Sequence, residues 1–273
     1  MTDQRERYDR IARGYARWWA PVLGPTAVRV LDRVAPSVDG HPAQLLDVGT
    51  GTATLAVAAI RRWPEIRVTG IDASSGMAEA AVGEADAQLP ARDRERFEVR
   101  VSFADRLPFD DASFDAAVSS FVLQLVPSRS AVLRDVRRVL RPGARLAHVT
   151  WVEGGREFRP DVEFDKALGR VGIGGREPEG RRGDYRTPEA AAAELRRAGF
   201  RNVEHEGGEL VHRFAPDEYV AFLEEFDEED TFASLDRKTR DALRADLRKR
   251  LHRLPAAAFD LRLPIVFASG ERP

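Results

Sequence analysis

The segment that most constrains the fold is a glycine-rich turn between an apolar run and a helical pattern. It reads Leu45-Leu46-Asp47-Val48-Gly49-Thr50-Gly51-Thr52-Ala53. Glycine at positions 49 and 51 allows the backbone to turn tightly, and a ligand can approach without a Cβ in the way. The helix that follows offers free backbone N–H groups at its start. The turn therefore predicts a strand–loop–helix unit that binds a ligand at the end of a strand.

Two ligand classes compete for this turn. A dinucleotide-binding turn has the spacing G-x-G-x-x-G/A, but counting from Gly49 its last position is Thr54. The carboxylate of Asp47 would repel a pyrophosphate, whereas it can attract a ligand ammonium. A ligand with an amino-acid tail and no phosphate fits better. A turn whose glycines serve backbone geometry alone stays open as an alternative.

Strand and helix patterns alternate after this turn, which is typical of a mostly parallel sheet with helices on both faces. The predicted strands cover residues 44–48, 67–71, 97–103, 114–119, 144–151, 201–214 and 260–269. We predict a doubly wound α/β fold. Its organisation is an N-terminal helical lid (1–40), a ligand-binding core (41–153), an insertion or lid (154–187) and a completion of the sheet (188–273) with a helical cap at 216–254. Pro21, Gly24 and Pro25 should break the N-terminal segment into two short helices.

Acidic residues recur at the ends of the next two strands. Asp72 follows Gly51 by 21 positions and is placed to accept hydrogen bonds from both hydroxyls of a ribose. The alternative role for Asp72 is an N-cap of the following helix. A third acidic segment runs from Phe103 to Asp115 and contains Asp105 and Leu107-Pro108-Phe109.

Together these motifs resemble the class I S-adenosylmethionine-dependent methyltransferases, in particular the ubiquinone/menaquinone-biosynthesis-like small-molecule enzymes. The family's acidic-x-Gly-x-Gly-x-Gly motif appears here with Ala53 in place of the third glycine. Its Asp-x-Ser-x-x-Met motif matches Asp72 to Met77. Its Asp-x-x-x-Leu-Pro-Phe run matches with a shorter spacing between Asp105 and Leu107. The resemblance implies a seven-stranded Rossmann-like sheet and methyl transfer from S-adenosyl-L-methionine to a small molecule.

The resemblance also assigns site residues. The expected cofactor-binding residues are Asp47, Gly49, Thr50, Gly51, Asp72, Ala73, Met77, Asp105, Arg106 and Ser119. The expected acceptor-binding residues are Tyr15, Trp19, Gln124 and Trp151. The catalytic candidates are His212 and Gln124, although an amide cannot act as a base at neutral pH. Two other functions stay open: a non-catalytic S-adenosylmethionine-binding regulator and a nicotinamide-dependent oxidoreductase.

Composition limits the remaining function classes. The 43 basic and 45 acidic residues give a net charge of −2, which argues against a nucleic-acid partner. The absence of cysteine excludes thiolate metal sites and disulfides, and we expect no metal. No apolar run reaches 18 residues, so no membrane span is expected. We predict a cytoplasmic monomer or homodimer with a small-molecule partner.

Overall fold

The computed structural model describes residues 4–174 and 183–273. These residues form two compact units. The first unit contains the described residues of 4–153, 183–208 and 265–273. The second contains those of 154–174 and 209–264. The insertion predicted at 154–187 lies partly outside the described residues, at positions 175–182.

The predicted mostly parallel seven-stranded sheet is confirmed. Its strand order is β3-β2-β1-β4-β5-β7-β6. The pairs β1–β2, β1–β4, β2–β3 and β4–β5 are parallel, and β7 runs antiparallel to β5. The strands are β1 (Ala43–Val48), β2 (Ile66–Asp72), β3 (Phe97–Val101), β4 (Phe114–Ser120), β5 (Leu140–Trp151), β6 (Arg201–Arg213) and β7 (Asp260–Glu271).

Helices connect the strands along the chain. Before β1 lie α1 (Gln4–Gly14), a π-helical turn (Tyr15–Trp19), α2 (Ala20–Ala27) and α3 (Val30–Val34). The crossover helices are α4 (Thr54–Arg62), α5 (Ser75–Gln88), α6 (Ala91–Arg94), α7 (Arg129–Val139), α8 (Arg159–Arg170) and α9 (Pro188–Arg197). Between β6 and β7 lie α10 (Pro216–Phe222), a π-helical turn (Leu223–Asp227), α11 (Glu229–Ser234) and α12 (Arg237–Leu251).

The central strands are buried on both faces, as parallel strands between two helix layers must be. In β1 every residue except Gln44 is buried, and in β4 the run from Ala116 to Ser119 is buried. Such strands are apolar almost throughout rather than alternating. Because β1 pairs in parallel with both β2 and β4, the carboxyl ends of these three strands lie side by side at one edge of the sheet.

The break predicted at Pro21, Gly24 and Pro25 is wrong. These residues lie inside α2, which continues directly from the π-helical turn, and the helical segment is interrupted only at Val28 and Arg29. Pro21 falls in the first turn of α2, where a backbone N–H has no partner within the helix. Pro25 lies inside the helix and removes one hydrogen bond, a loss that the surrounding contacts tolerate.

Two strand boundaries also differ from the prediction. β3 ends at Val101 rather than residue 103, and the Phe103 side chain is exposed. β5 begins at Leu140, before Pro142 and Gly143, because Leu140 pairs with Phe114 and the register then shifts at a bulge. Gly143 adopts a φ of +82° there, a conformation that favours glycine.

The second unit has an apolar core of its own. The Phe164 and Phe232 rings stack with their centroids 6.0 Å apart, and three leucines of α12 are buried at helical spacing, Leu243, Leu247 and Leu251. Arg250 of α12 pairs with Glu163 of α8 at 3.3 Å. Within residues 4–174 and 183–273, no helix is long and apolar enough to cross a lipid bilayer.

Candidate functional site

The two glycines of the turn after β1 are required for different reasons. Gly49 has a φ of +70°, and a Cβ there would lie 2.3 Å from the Cγ2 atom of Val122. Gly51 has a φ of +53°, yet nothing lies within 4 Å of the position of its Cβ. Gly49 thus permits close packing against the loop after β4, whereas Gly51 keeps a surface of the turn open toward a ligand.

Alanine takes the place of the family's third glycine. Ala53 adopts a left-handed conformation with a φ of 61° immediately before α4 and is fully buried. A left-handed residue with a Cβ costs about 1–2 kcal/mol. The turn therefore accommodates alanine at this position at a moderate energetic cost.

Asp47 is a buried carboxylate at the end of β1. Only 1% of the residue is exposed, and the Thr50 hydroxyl donates a hydrogen bond of 2.8 Å to Oδ2. Burial and the nearby Asp72 raise the pKa of Asp47 to about 7, although hydrogen bonds from Thr50 and the Ala56 backbone act against this rise. Among the described residues no basic side chain pairs with Asp47. A ligand ammonium would supply the missing positive charge.

Asp72 connects the turn after β1 with the loop after β2. Its Oδ2 accepts a hydrogen bond of 3.0 Å from the Gly51 N–H, and its Oδ1 accepts one of 2.9 Å from the Ser74 N–H. Burial raises the pKa of Asp72, and these backbone donors oppose the rise. The N-cap of α5 is Ser74, whose Oγ accepts from the Met77 N–H at 3.0 Å. Asp72 is therefore not the N-cap of that helix.

The remaining cofactor candidates lie around these carboxylates. Ala73 is half-buried and Met77 is buried in α5, whereas Asp105 and Arg106 are exposed in the loop after β3. The backbone N–H of Ser102 donates to the Asp72 carbonyl at 2.8 Å, so this loop starts beside the end of β2. Asp105 and Arg106 stay predicted ligand contacts.

Polar side chains at the end of β4 and in the loop after it are engaged in hydrogen bonds with the protein. The Ser119 hydroxyl is buried and donates to the Val48 carbonyl at 2.9 Å. The Gln124 Nε2 donates to the Phe121 carbonyl at 2.6 Å, and its Oε1 accepts from the Thr150 hydroxyl at 2.6 Å. Both ends of the Gln124 amide thus hold the loop after β4 against β5.

Aromatic side chains lie at two places near this edge of the sheet. Tyr15 lines a pocket together with Gly49, Thr50 and Gly51, and burial, Tyr8 and Asp72 raise its pKa. Trp19 is half-buried in the same π-helical turn. Trp151, at the end of β5, lies with its ring 4.2 Å from that of Phe121.

His212, the other catalytic candidate, lies in the second unit. Its ring contacts that of Phe214 edge-on, with the centroids 4.4 Å apart. Burial lowers the pKa of His212, and Glu218 partly opposes this. A neutral imidazole at pH 7 is the form that could accept a proton.

One residue escaped the sequence reasoning, and a second was expected in the core without its unusual surroundings. Asp9 of α1 contacts the start of α5, and its partners stand 65 to 67 positions away, so no local motif reveals it. His148 is fully buried in β5, and neither ring nitrogen has a hydrogen-bond partner among the described residues. Its position inside an apolar strand predicts burial, but not the missing partner. Across the two described stretches, no three His, Asp or Glu side chains are grouped as a metal site.

Comparisons with known proteins identify the family of the chain. Residues 46–148 match a family model described as a methyltransferase domain. Over 208 residues the chain is 32% identical to a malonyl-[acyl-carrier protein] O-methyltransferase from Geobacter sulfurreducens, covering 75% of this chain and 73% of that protein. Over 112 residues it is 37% identical to a ubiquinone/menaquinone biosynthesis C-methyltransferase from Desulfotalea psychrophila, covering 41% of this chain and 43% of that protein.

A solved structure shares the fold. It is a phosphoethanolamine N-methyltransferase from Haemonchus contortus in complex with S-adenosylhomocysteine, with a TM-score of 0.58 and 18% identity. The match covers 99% of this chain and 59% of that one. At this level of identity the likeness shows the fold alone.

Proposed function

Because the chain belongs to the class I S-adenosylmethionine-dependent methyltransferases, we propose that it methylates a small acceptor that brings its own nucleophilic anion. The family assignment establishes that a methyl group passes from S-adenosylmethionine to a small molecule. The observation that carries the finer proposal is that the polar side chains at the end of β4 and in the loop after it are already hydrogen-bonded to the protein. Ser119 donates to a main-chain carbonyl and Gln124 is hydrogen-bonded at both ends of its amide.

We assign the donor-binding roles by chemistry. S-adenosylmethionine, when bound, supplies a methyl group on a positively charged sulfur. In our proposal Asp47 pairs with its amino group and Asp72 accepts from its ribose hydroxyls. Both carboxylates fit, since Asp47 has no basic partner among the described residues and the Asp72 oxygens accept hydrogen bonds from the backbone N–H groups of Gly51 and Ser74. We further propose that Asp105 accepts from the adenine amino group, and that the turn and loop residues line the donor: Gly49, Thr50, Gly51, Ala73, Met77, Arg106 and Ser119.

The kind of acceptor follows from what methyl transfer requires of the protein. The leaving group is a neutral thioether, so the enzyme mainly aligns the donor and acceptor and excludes water. An acceptor that is already an anion at neutral pH needs no protein base. Tyr15, Trp19 and Trp151 are the proposed aromatic contacts, which suit a flat apolar body. The malonyl-[acyl-carrier protein] relative is named for methylation at oxygen and the Desulfotalea relative for methylation at carbon, and we propose one of these two atoms.

A panel of acceptors tests this proposal. The purified protein is incubated with deuterium-labelled methyl donor and a carboxylate thioester, an acidic phenol or quinol, and an uncharged secondary amine, and products are located by mass spectrometry. We expect turnover of the carboxylate or the acidic hydroxyl compound. Preferential methylation of the amine would contradict the anionic acceptor, and absence of donor binding in calorimetry would contradict the function itself.

The alternative to an acceptor that is already ionised at neutral pH is an acceptor deprotonated by a base of the protein. The candidate for this base is His212. General-base catalysis contributes about 10²–10⁴-fold in rate. We therefore expect His212→Gln to lower kcat by less than about tenfold on an ionised acceptor. A loss of a hundredfold or more, with a pH profile that loses its ascending limb, would assign the base role to His212.

The location and assembly of the enzyme also belong to this proposal. We propose a cytoplasmic enzyme, supported by a sequence without cysteine, since disulfides concentrate in oxidising compartments. We propose a monomer or homodimer, which light scattering after size-exclusion chromatography tests directly. Residues 1–40 and 154–187 are proposed as lids over the site.

A further inference from the structure

The donor turn is covered closely by the N-terminal helices. A pocket of about 20 Å³ lies between them, lined by the turn from Gly49 to Thr52 on one side and by Tyr15, Ala20 and Leu23 on the other. That volume holds about one water molecule. A ligand of cofactor size occupies a pocket of about 300 Å³ or more. In this conformation the N-terminal helices therefore lie close against the turn.

One side chain fixes α1 to the rest of the donor site. The Oδ1 atom of Asp9 accepts hydrogen bonds from the Ser74 hydroxyl at 2.7 Å, the Gly76 N–H at 2.9 Å and the Ser75 hydroxyl at 3.3 Å. These donors form the first turn of α5, where the helix dipole favours a negative charge. The contact is therefore charge-assisted and directional.

The same turn of α5 also orients the proposed ribose-binding carboxylate. Ser74 donates its backbone N–H to Asp72 Oδ1 at 2.9 Å, while its hydroxyl accepts from Met77 and donates to Asp9. A continuous set of hydrogen bonds thus runs from α1 through Ser74 to Asp72. Docking of α1 and the orientation of Asp72 share one residue.

The backbones approach each other as closely as the side chains suggest. A Cβ on Gly76 would lie 2.8 Å from the Asp9 carbonyl oxygen and 3.0 Å from its Cα. Both atoms belong to the main chain, so they cannot rotate away as a flexible side chain could. Glycine at position 76 is therefore a requirement for α1 to dock in this position.

We propose that Asp9 is a positioning residue that couples docking of the N-terminal helices to the geometry of the donor site. The helices undock to admit S-adenosylmethionine, and the return of Asp9 to the Ser74 turn closes the site and fixes Asp72. This inference rests on the proposed assignment of the donor to Asp47 and Asp72. It adds a residue from outside the donor motifs to the machinery that holds the donor.

Three variants test the coupling in the full-length protein. Asp9→Asn removes the charge, and Gly76→Ala obstructs docking without changing any polar group. Gly83→Ala is the matched control, because it lies in the same helix and a Cβ there meets nothing within 4 Å. Binding of S-adenosylhomocysteine is followed by stopped-flow tryptophan fluorescence, since Trp18 and Trp19 lie in the segment that moves. Trypsin cleavage at Arg10, Arg13 and Arg17 reports undocking independently of any ligand.

We expect Asp9→Asn and Gly76→Ala to be cleaved about tenfold faster than the wild type in the absence of ligand, since a hydrogen bond to a charged group is worth about that factor. Their dissociation rates for S-adenosylhomocysteine should rise about tenfold, and their KM for the donor should rise more than kcat falls. Gly83→Ala should match the wild type in every assay. Wild-type cleavage and dissociation rates in both variants would overturn the proposal. Faster cleavage in a protein whose wild type binds no donor would instead contradict the donor assignment and leave the docking contact standing.

Discussion

At the scale of single residues, the proposed donor site concentrates negative charge. Burial raises the pKa of both Asp47 and Asp72, and the charge of Asp72 raises that of Asp47 further. Such groups destabilise a folded protein unless a positive charge accompanies them. The chain therefore gives up stability at the position where we propose that the cationic donor binds.

We predict that Asp47→Asn stabilises the protein and weakens donor binding. The pKa of Asp47 is about 7 in the folded protein and about 3.9 when unfolded, so this carboxylate lowers the free energy of unfolding progressively as the pH rises from about 3.9 to 7. At pH 8 the full cost is present, and the variant should gain about 4 kcal/mol in the free energy of unfolding, since each of about three pKa units is worth about 1.4 kcal/mol. At pH 4 both proteins carry a neutral group at this position, and the difference should vanish. Urea denaturation at the two pH values measures the gain, and calorimetry with S-adenosylhomocysteine measures the loss of affinity.

Asp105→Asn serves as the control for this effect, because that carboxylate is exposed and its neutralisation should not change the free energy of unfolding by more than about 0.5 kcal/mol. A fall in stability for Asp47→Asn at pH 8 would mean that the ionised carboxylate already has a compensating partner in the folded chain.

At the scale of elements, the two glycines of the turn between β1 and α4 differ in what they contribute to folding and to the proposed binding of the donor. Gly49 packs against Val122, whereas Gly51 has open space beside it. Both have positive φ angles, so replacing either with a residue that has a Cβ should cause a similar backbone strain. Only the first also meets a steric obstacle within the protein.

We predict that Gly49→Ala destabilises the fold by about 2–4 kcal/mol, combining left-handed strain with overpacking. Gly51→Ala should cost about 1–2 kcal/mol, from the strain alone. Donor affinity should show the opposite order: Gly51→Ala should lose affinity for the donor at a temperature where the variant is fully folded. Thermal denaturation and calorimetry on the two variants decide this, and equal losses of stability would mean that the Val122 side chain moves aside.

Element by element, the sequence predicted what depends on local patterns. The strands from Ala43 to Trp151 show as short runs of apolar or alternating residues, and the motifs at their carboxyl ends specify their order by resemblance. The N-terminal helices were predicted less well, because Pro21 and Pro25 break isolated helices but are tolerated in a packed one. Asp9 could not be found at all, since its role depends on the approach of two segments more than 60 residues apart.

At the scale of the whole molecule, two buried groups give the stability opposite dependences on pH. Asp47 is protonated more readily in the folded chain than in the unfolded chain. The contribution of Asp47 to the free energy of unfolding therefore rises as the pH falls below 7. Burial and Arg129 lower the pKa of His148 to about 3, against about 6.5 when unfolded. Below pH 6.5 His148 is protonated in the unfolded state but stays neutral in the folded state, so the free energy of unfolding falls.

We predict that His148→Leu flattens the acid side of this dependence. The substitution roughly conserves volume and removes two buried nitrogens that lack partners among the described residues, so it should stabilise the protein. Between pH 7.5 and pH 5 the advantage of the variant should grow by about 2 kcal/mol, since each pH unit below 6.5 is worth about 1.4 kcal/mol. Urea denaturation at both values measures it. An advantage that stays constant with pH would mean that His148 takes up a proton in the folded state.

The position of β7 in the sheet bears on how the protein is made. This strand follows all the others along the chain, yet it lies between β5 and β6, where it pairs with β5 from Arg145 to Trp151. During translation one edge of β5 therefore stays without its neighbour after β6 has left the ribosome. An unpaired edge invites pairing with other chains. The nascent protein thus carries an aggregation-prone edge until its final strand emerges, and this interval is when a chaperone would be of most use.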